Sequence, residues 1–263
     1  MIIIQPSGGL CNRMRVINSA YILAQKKNCR LLVLWKMCDE LNCPFEELFL
    51  PPSEFKIINF KSNFNIKKLF YQYTAKQRFQ NEAIEKNKTD GVLHNDFFDR
   101  LSSSSYIFTW EHFYPAKDYH LFVPTKDLTR RIDHITKNFG EHAVGVHIRR
   151  TDNTWAIANS KSDEFSTAIR NELAEFPNAK FYIATDDITE EERLRNEFGN
   201  AIISNTSKTL ARDSVEGMHD ALIDLFCLSK TSKIFGSFYS SFTDIAADMQ
   251  GIEKIVVGQT TSK

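Results

Sequence analysis

The chain has 263 residues and no surplus of charge: 33 lysines and arginines balance 33 aspartates and glutamates. A neutral chain has no global field to draw it onto nucleic acid or an anionic membrane, so any basic site must be local. A long hydrophobic run is also missing. The opening MIIIQPSGG is too short for a signal-sequence core or a membrane span and reads as a first strand, Met1–Gln5. No stable membrane insertion is expected. Cysteine is sparse: Cys11, Cys29, Cys38, Cys43 and Cys227 are an odd number without a disulfide-like framework, which fits reduced thiols and a cytoplasmic setting. Cys38 and Cys43 have no second close pair of ligands to make a zinc site and read as buried thiols. No D-x-D occurs, and no histidine cluster stands at ligand spacing, so no metal is expected. The lysine of a Walker A loop, the third glycine of G-x-G-x-x-G and the G-x-S-x-G elbow of a serine hydrolase are absent as well.

What is present is an ordinary globular composition, 42% hydrophobic and 25% charged, with enough chain for one large domain or two small ones. The second half alternates most clearly. Ala143–Arg149 reads as a strand, and Glu164–Phe176 as a helix with Phe165, Ile169, Leu173 and Phe176 on one face. Lys180–Thr185 is again a strand, and Thr189 with Glu192 suggests a capping box for a helix ended by Gly199. Ala201–Ser204 is strand-like. Met218, Ala221, Leu222, Leu225 and Phe226 then follow the spacing of a buried helix face. Lys233–Gly236, a helix over 242–249 and Lys254–Val257 complete the series.

Such alternation predicts βαβ crossovers and a doubly wound parallel sheet, from about Val123 to the end. Ligands of these sheets lie beyond the carboxyl ends of the strands. That rule places His147, Arg149 and Arg150, then Thr185, Asp186 and Asp187, then Ser237–Ser241 on one rim. The first half starts alike: a strand leads through Ser7-Gly8-Gly9 into a helix carrying Leu10, Met14, Ile17, Tyr21 and Ala24, followed by a strand over Arg30–Trp35. The segment 56–88, with eight Lys or Arg, two Glu and interleaved aromatics, reads as helical in part. The predicted architecture is α/β, with a smaller Rossmann-like domain over 1–122 facing a second Rossmann-like domain over 123–263 across a cleft.

Two adjacent arginines at a strand end cannot both enter the core, because strand side chains alternate. Arg149 and Arg150 offer the planar, permanently charged fork that suits phosphate oxygens; the alternative is a structural salt bridge from Arg149 to Asp152 or Asp186. Gly8 and Gly9 let backbone amides approach a phosphate at a helix start, with Asn12 and Arg13 adding polar reach, or they form a plain tight turn. Asp186 and Asp187 suit sugar or base hydroxyls, or one of them caps the next helix. The Ser237–Ser241 hydroxyls suit an anion, or a serine is an N-cap. Together these groups describe a nucleotide-diphosphate site.

The runs VGVHIRRTD, FYIATDD and LIDLFCLS…FGSFYSSF resemble the three donor-site motifs of the α1,2-, α1,6- and protein-O-fucosyltransferase superfamily, most closely its α1,6 and bacterial nodulation-type branch. GGLCNR resembles that superfamily's GGLGNR/Q loop. The resemblance implies a GT-B-like architecture and an inverting, metal-independent transfer of fucose from GDP-β-L-fucose to a glycan hydroxyl, with no cofactor besides the donor. It implies that Arg149 and Arg150 hold the diphosphate and carry the catalysis, with His147 supporting the loop and Asp152 in the same motif. It assigns Asp187, with Asp186 beside it, to the guanosine portion, and adds Asp224, Ser240 and Ser241 to the donor set. Gly9 and Asn12 would come to the donor from the other domain. Three departures stand out: Cys11 replaces a glycine, Asn153 a lysine and Phe242 a glutamine.

A general base is not identifiable; Asp39, Glu40, Asp96 and Glu111 are candidates. Two rival readings remain. One is a nucleotide-sugar-binding protein without transfer, or a transferase using another GDP-sugar. The other is nucleic-acid binding through the 56–88 segment, against which stands the reading of a solvated helix face with its aromatics buried. The partners expected are a GDP-sugar and a glycan, not nucleic acid.

Overall fold

Apolar runs without polar alternation belong to strands covered on both faces. Two such runs, Ile2–Pro6 and Ala143–Ile148, are buried at every position. Each is the central strand of a five-stranded sheet whose pairings are all parallel. The computed structural model describes residues 1–115, 119–151, 154–206 and 208–259. They form two compact units, one of residues 1–125 with 211–218 and one of 126–210 with 219–263.

The first unit runs β1 (Ile2–Pro6), α1 (Leu10–Lys26), β2 (Leu31–Lys36), α2 (Phe45–Leu48), β3 (Phe55–Phe60), α3 (Ile66–Thr74), β4 (Gln77–Phe79), α4 (Asn81–Lys86), β5 (Lys88–Thr89), β6 (Val92–Leu93), α5 (Asn95–Arg100) and β7 (Ser105–Thr109). Its large sheet has the order β3-β2-β1-β7-β4. Ile3, Leu32, Leu34, Phe60 and Tyr106 fill one side of that sheet. The segment 56–88 is helical in part, as read: α3 and α4 lie in it, with most of β3, β4 and the start of β5.

The second unit runs α6 (Lys126–Thr136), β8 (Ala143–Ile148), α7 (Thr154–Asn159), α8 (Ser162–Glu175), β9 (Lys180–Thr185), α9 (Ile188–Phe198), β10 (Ile202–Ile203), α10 (Val215–Ser229, whose first turn belongs to the first unit), β11 (Lys233–Gly236), α11 (Ser241–Gln250) and β12 (Glu253–Val256). The order β10-β9-β8-β11-β12 makes the chain wind one way from β8 and then return to its other side. This is the doubly wound arrangement expected from the sequence. Its topological switch point lies between β8 and β11, where such sheets open a crevice at their carboxyl ends. Val144, Val146 and Ile148 pack with Phe165, Ile169, Phe181, Ile183 and Leu194.

One local expectation needs correction. The cap of α9 is Asp187, not Thr189: its carboxylate accepts the Thr189 amide at 2.9 Å, so the helix starts earlier than a capping box at Thr189 would allow. Helix α10 buries the expected face, and more of its circumference besides. Met218, Leu222 and Leu225 are buried, Ala221 and Phe226 only half so, while Ile223, Asp224 and Cys227 on other sides are buried too. None of the five cysteines is in a disulfide among the described residues, and burial pushes the Cys43 and Cys227 thiols up to about 12.

Candidate functional site

Strand β8 ends between β9 and β11, with Ile148 opposite Thr185 and His147 opposite Gly236. The three predicted groups therefore share one edge of the second sheet, and hydrogen bonds join them. The Arg149 amide donates to Ser237 Oγ at 3.0 Å, and the Ser237 amide donates to the His147 carbonyl at 3.0 Å. Asp186 Oδ1 accepts the Arg150 amide at 2.7 Å, while Oδ2 accepts the Thr151 hydroxyl at 2.7 Å. Asp152 lies outside the described residues.

Alternation along the strand sends the two arginines different ways. Arg150 turns toward α8: Nε and Nη2 donate to Ser162 Oγ at 3.3 and 3.2 Å, and Nη1 donates to the Arg149 carbonyl at 3.0 Å. Its guanidinium carbon stands 5.7 Å from the Phe165 ring centroid. The Ser162 hydroxyl in turn donates a hydrogen bond to Glu190 Oε2 at 2.9 Å. Burial lowers the Arg150 pKa from its ordinary value, and Glu190 and Asp186 oppose that shift. Arg149 meets Asp186 only at 3.9 Å from Nε, beyond hydrogen-bond range, and its side chain is 23% exposed.

His147 lies beneath the β11–α11 turn. Its Nδ1 is 2.9 Å from Thr243 Oγ1 and 3.3 Å from Ser240 Oγ, and its ring stacks on Phe242 with centroids 5.0 Å apart. Burial, seconded by the Arg149 charge, lowers its pKa to about 3, so the imidazole is neutral and serves as a hydrogen-bonding strut. Ser240 caps α11 through the Thr243 amide, and Ser241, half-buried, opens the helix. Between them and β11, Tyr239 is held at φ +52° and is 81% exposed. A non-glycine residue there is strained by about 1–2 kcal/mol, and such strain gathers at ligand-binding turns.

Asp187 caps α9, and the hydrogen bond from the Thr189 hydroxyl, at 2.6 Å, holds its carboxyl below the usual range. Asp224, on α10, is buried. It accepts the Tyr182 hydroxyl at 2.5 Å and faces Lys208 Nζ at 3.6 Å, and burial raises its pKa to about 6. Lys208 in turn pairs with Glu191 at 2.9 Å.

In the first unit, Gly8 adopts φ +82°, which only glycine takes without strain, and a Cβ there would meet Asn12 Nδ2 at 3.0 Å. A Cβ on Gly9 would meet nothing within 4 Å, so the chain is open at that point. Asn12 accepts from Arg15 at 3.3 Å. Arg13 corrects an expectation: it does not reach outward. It is 1% exposed and donates to the Gly8 carbonyl at 2.7 Å, the Lys36 carbonyl at 2.5 Å and Cys38 Sγ at 3.2 Å, with the Trp35 ring 4.9 Å away. Of the carboxylates considered as a base, Glu111 is paired with Lys88 and Asp96 with Arg100. Asp39 and Glu40 are exposed in the turn after β2.

The residues that sequence reasoning missed are Ser162, Glu190 and Thr243, which brace Arg150 and His147, and the strained Tyr239. Ser162 and Thr243 sit at helix starts, where a hydroxyl reads as a cap; only the fold shows which side chain it supports. Among the described residues no helix is long and apolar enough to cross a membrane, and no three His, Cys, Asp or Glu side chains are grouped to hold a metal ion.

No protein-family model matches the chain, and no curated protein does. Solved structures do match. NodZ α-1,6-fucosyltransferase soaked with GDP-fucose superposes with a TM-score of 0.63 at 15% identity, over 94% of this chain and 92% of that one. POFUT1 in complex with GDP gives 0.61 at 13% identity, over 98% of each chain. A variant of Arabidopsis thaliana FUT1 in complex with GDP gives 0.61 at 15%, over 97% of this chain and 69% of that one. The chain has the fold of these fucosyltransferase structures.

Proposed function

We propose that this chain is a glycosyltransferase that moves fucose from GDP-β-L-fucose to a glycan hydroxyl, inverting the anomeric carbon and needing no metal. The observation that carries the proposal is the Arg149 guanidinium, placed with Asp186, Asp187 and the Ser237–Ser241 turn at the switch point of a sheet. That this fold is shared with fucosyltransferase structures holding GDP or GDP-fucose supports the choice of donor.

In this reading Arg149 meets the diphosphate oxygens. Charge grows on the GDP leaving group as the glycosidic bond breaks, and a cation already in place stabilises that charge without reorganising. Arg150 keeps the 149–151 segment in shape and adds its charge from behind. Asp186 and Asp187 are assigned to nucleoside hydroxyls or base, with Ser240 and Ser241 at the phosphate side and His147 as the strut. Asp224 acts through Tyr182 and Lys208 rather than by contact. Gly9, with room for a ligand, and Asn12 are proposed as further donor contacts. Two arginine charges would do what a divalent cation does elsewhere, so the reaction should run in EDTA. Asp39 and Glu40, exposed in the turn after β2, are proposed as candidates for the base.

The test is GDP release from GDP-fucose in EDTA, with and without a panel of glycans, and the configuration of the product by NMR. Transfer with inversion supports the proposal. GDP binding without any release would leave a nucleotide-sugar-binding protein, and a preference for another GDP-sugar would reassign the donor.

A further inference from the structure

Between Phe55 and Asn81 the chain carries five lysines and one arginine and no aspartate or glutamate, although its net charge is zero. Within that stretch α3 and the turn before it leave four large apolar side chains in solvent. Phe64 is 85% exposed, Ile66 83%, Phe70 60% and Tyr73 69%. Ile66, Phe70 and Tyr73 follow i, i+4, i+7 and form one stripe of the helix. The stripe is not a misplaced core face, because Tyr71 and Ala75 pack on the first-unit core instead. Scattered exposed hydrophobics need no explanation, but a contiguous set rimmed by charge marks an interaction surface. The reading of a solvated face with buried aromatics holds for the buried Phe60 and the half-buried Tyr71 and Phe79, but not for Phe64, Phe70 and Tyr73.

The helix is fixed at both ends. Asn65 caps it by accepting the Lys68 amide at 3.1 Å. Arg78 donates to the Gln72 and Tyr73 carbonyls at 2.7 and 2.6 Å and stands 5.6 Å from the Tyr73 ring centroid. Lys61, Lys67, Lys76 and Arg78 are exposed along the same segment. We infer that this face docks on an anionic lipid surface, with Phe64, Ile66, Phe70 and Tyr73 at the boundary of headgroups and acyl chains and the lysines among the phosphates. A basic helix with an apolar stripe lies in that plane, held by buried apolar area plus attraction to anionic lipid. Single-stranded nucleic acid would use the aromatic rings and the charge, but Ile66, one of the two most exposed of the four, offers nothing to stack. Lipid accepts the aliphatic and aromatic side chains alike. Docking of this kind is peripheral and stands apart from the transferase reading.

The test is co-sedimentation of the full chain with phosphatidylglycerol-rich vesicles and with pure phosphatidylcholine vesicles, beside a single-stranded RNA titration. The expected result is binding to the anionic vesicles only, weakening as salt rises. The triple variant Phe64→Ser, Ile66→Ser, Phe70→Ser and the separate pair Lys61→Glu, Lys67→Glu should each lose at least about tenfold in binding. Their melting temperatures should stay at the wild-type value, since these side chains are exposed. No binding to anionic vesicles, wild-type binding by both variants, or binding to RNA alone would overturn the inference.

Discussion

Asp186 shapes the Arg149–Thr151 segment through its backbone: Oδ1 takes the Arg150 amide at 2.7 Å, while Arg149 Nε stays 3.9 Å from Oδ2. The carboxylate thus shapes the segment mainly through its backbone and meets the Arg149 side chain only as a long ion pair. Asp186→Ala should leave the Arg150 amide short of a partner, at a cost of about 1–3 kcal/mol, and lower GDP affinity with it. Asp186→Asn keeps an acceptor and should lose less of both. Chemical denaturation and GDP titration of the two variants measure the difference.

Arg150 is expected to report on stability as well as binding. Its guanidinium is held by Ser162 and the Arg149 carbonyl above Phe165. Arg150→Ala should therefore lower both the unfolding midpoint and GDP affinity. Arg150→Lys should not restore them, because an ammonium cannot reproduce the planar fork. Ser162→Ala should give a milder form of the same defect in denaturation curves.

His147 makes stability depend on pH. Its folded pKa of about 3 lies below the ordinary value of 6.5. Between those values the unfolded chain binds a proton that the folded chain refuses, so stability falls as pH drops through this window. In a His147→Gln variant the contribution vanishes. Melting temperatures from pH 7 downward should fall less steeply in the variant than in the wild type, even if the variant starts lower.

Arg13 and Gly9 separate structural from ligand-facing roles in the first unit. Arg13→Met removes donors from two partly buried carbonyls and should destabilise by about 1–3 kcal/mol. Gly9→Ala meets no atom and should stay within about 1 kcal/mol of wild type. A fall in GDP affinity in Gly9→Ala, without a change in melting temperature, would bring the donor against that turn.

The second sheet was legible because buried β-branched runs alternate with helical spacing, and the carboxyl-edge rule then gathered Arg149, Asp186 and Ser237 correctly onto one rim. The direction of each arginine was not legible, since it depends on Ser162 and Phe165 arriving from α8. Arg13 could have been read better. Ile17, Ala20 and Ala24 stand four, seven and eleven residues on, all buried, and place it on an inner helix face. Strand β7 escaped notice because Ser105 extends a serine run, though Ser105–Thr109 is one of the two neighbours of β1. Asp224 looked like a ligand by its motif; its burial with Tyr182 and Lys208 follows only from the packing of α10 on β9.

The most direct measurement is calorimetric titration with GDP in EDTA, comparing wild type with Arg149→Ala. The account predicts saturable binding by the wild type and a loss of about a hundredfold, near 3 kcal/mol, in the variant with an unchanged fold. No binding by the wild type, or undiminished affinity in Arg149→Ala, would contradict it.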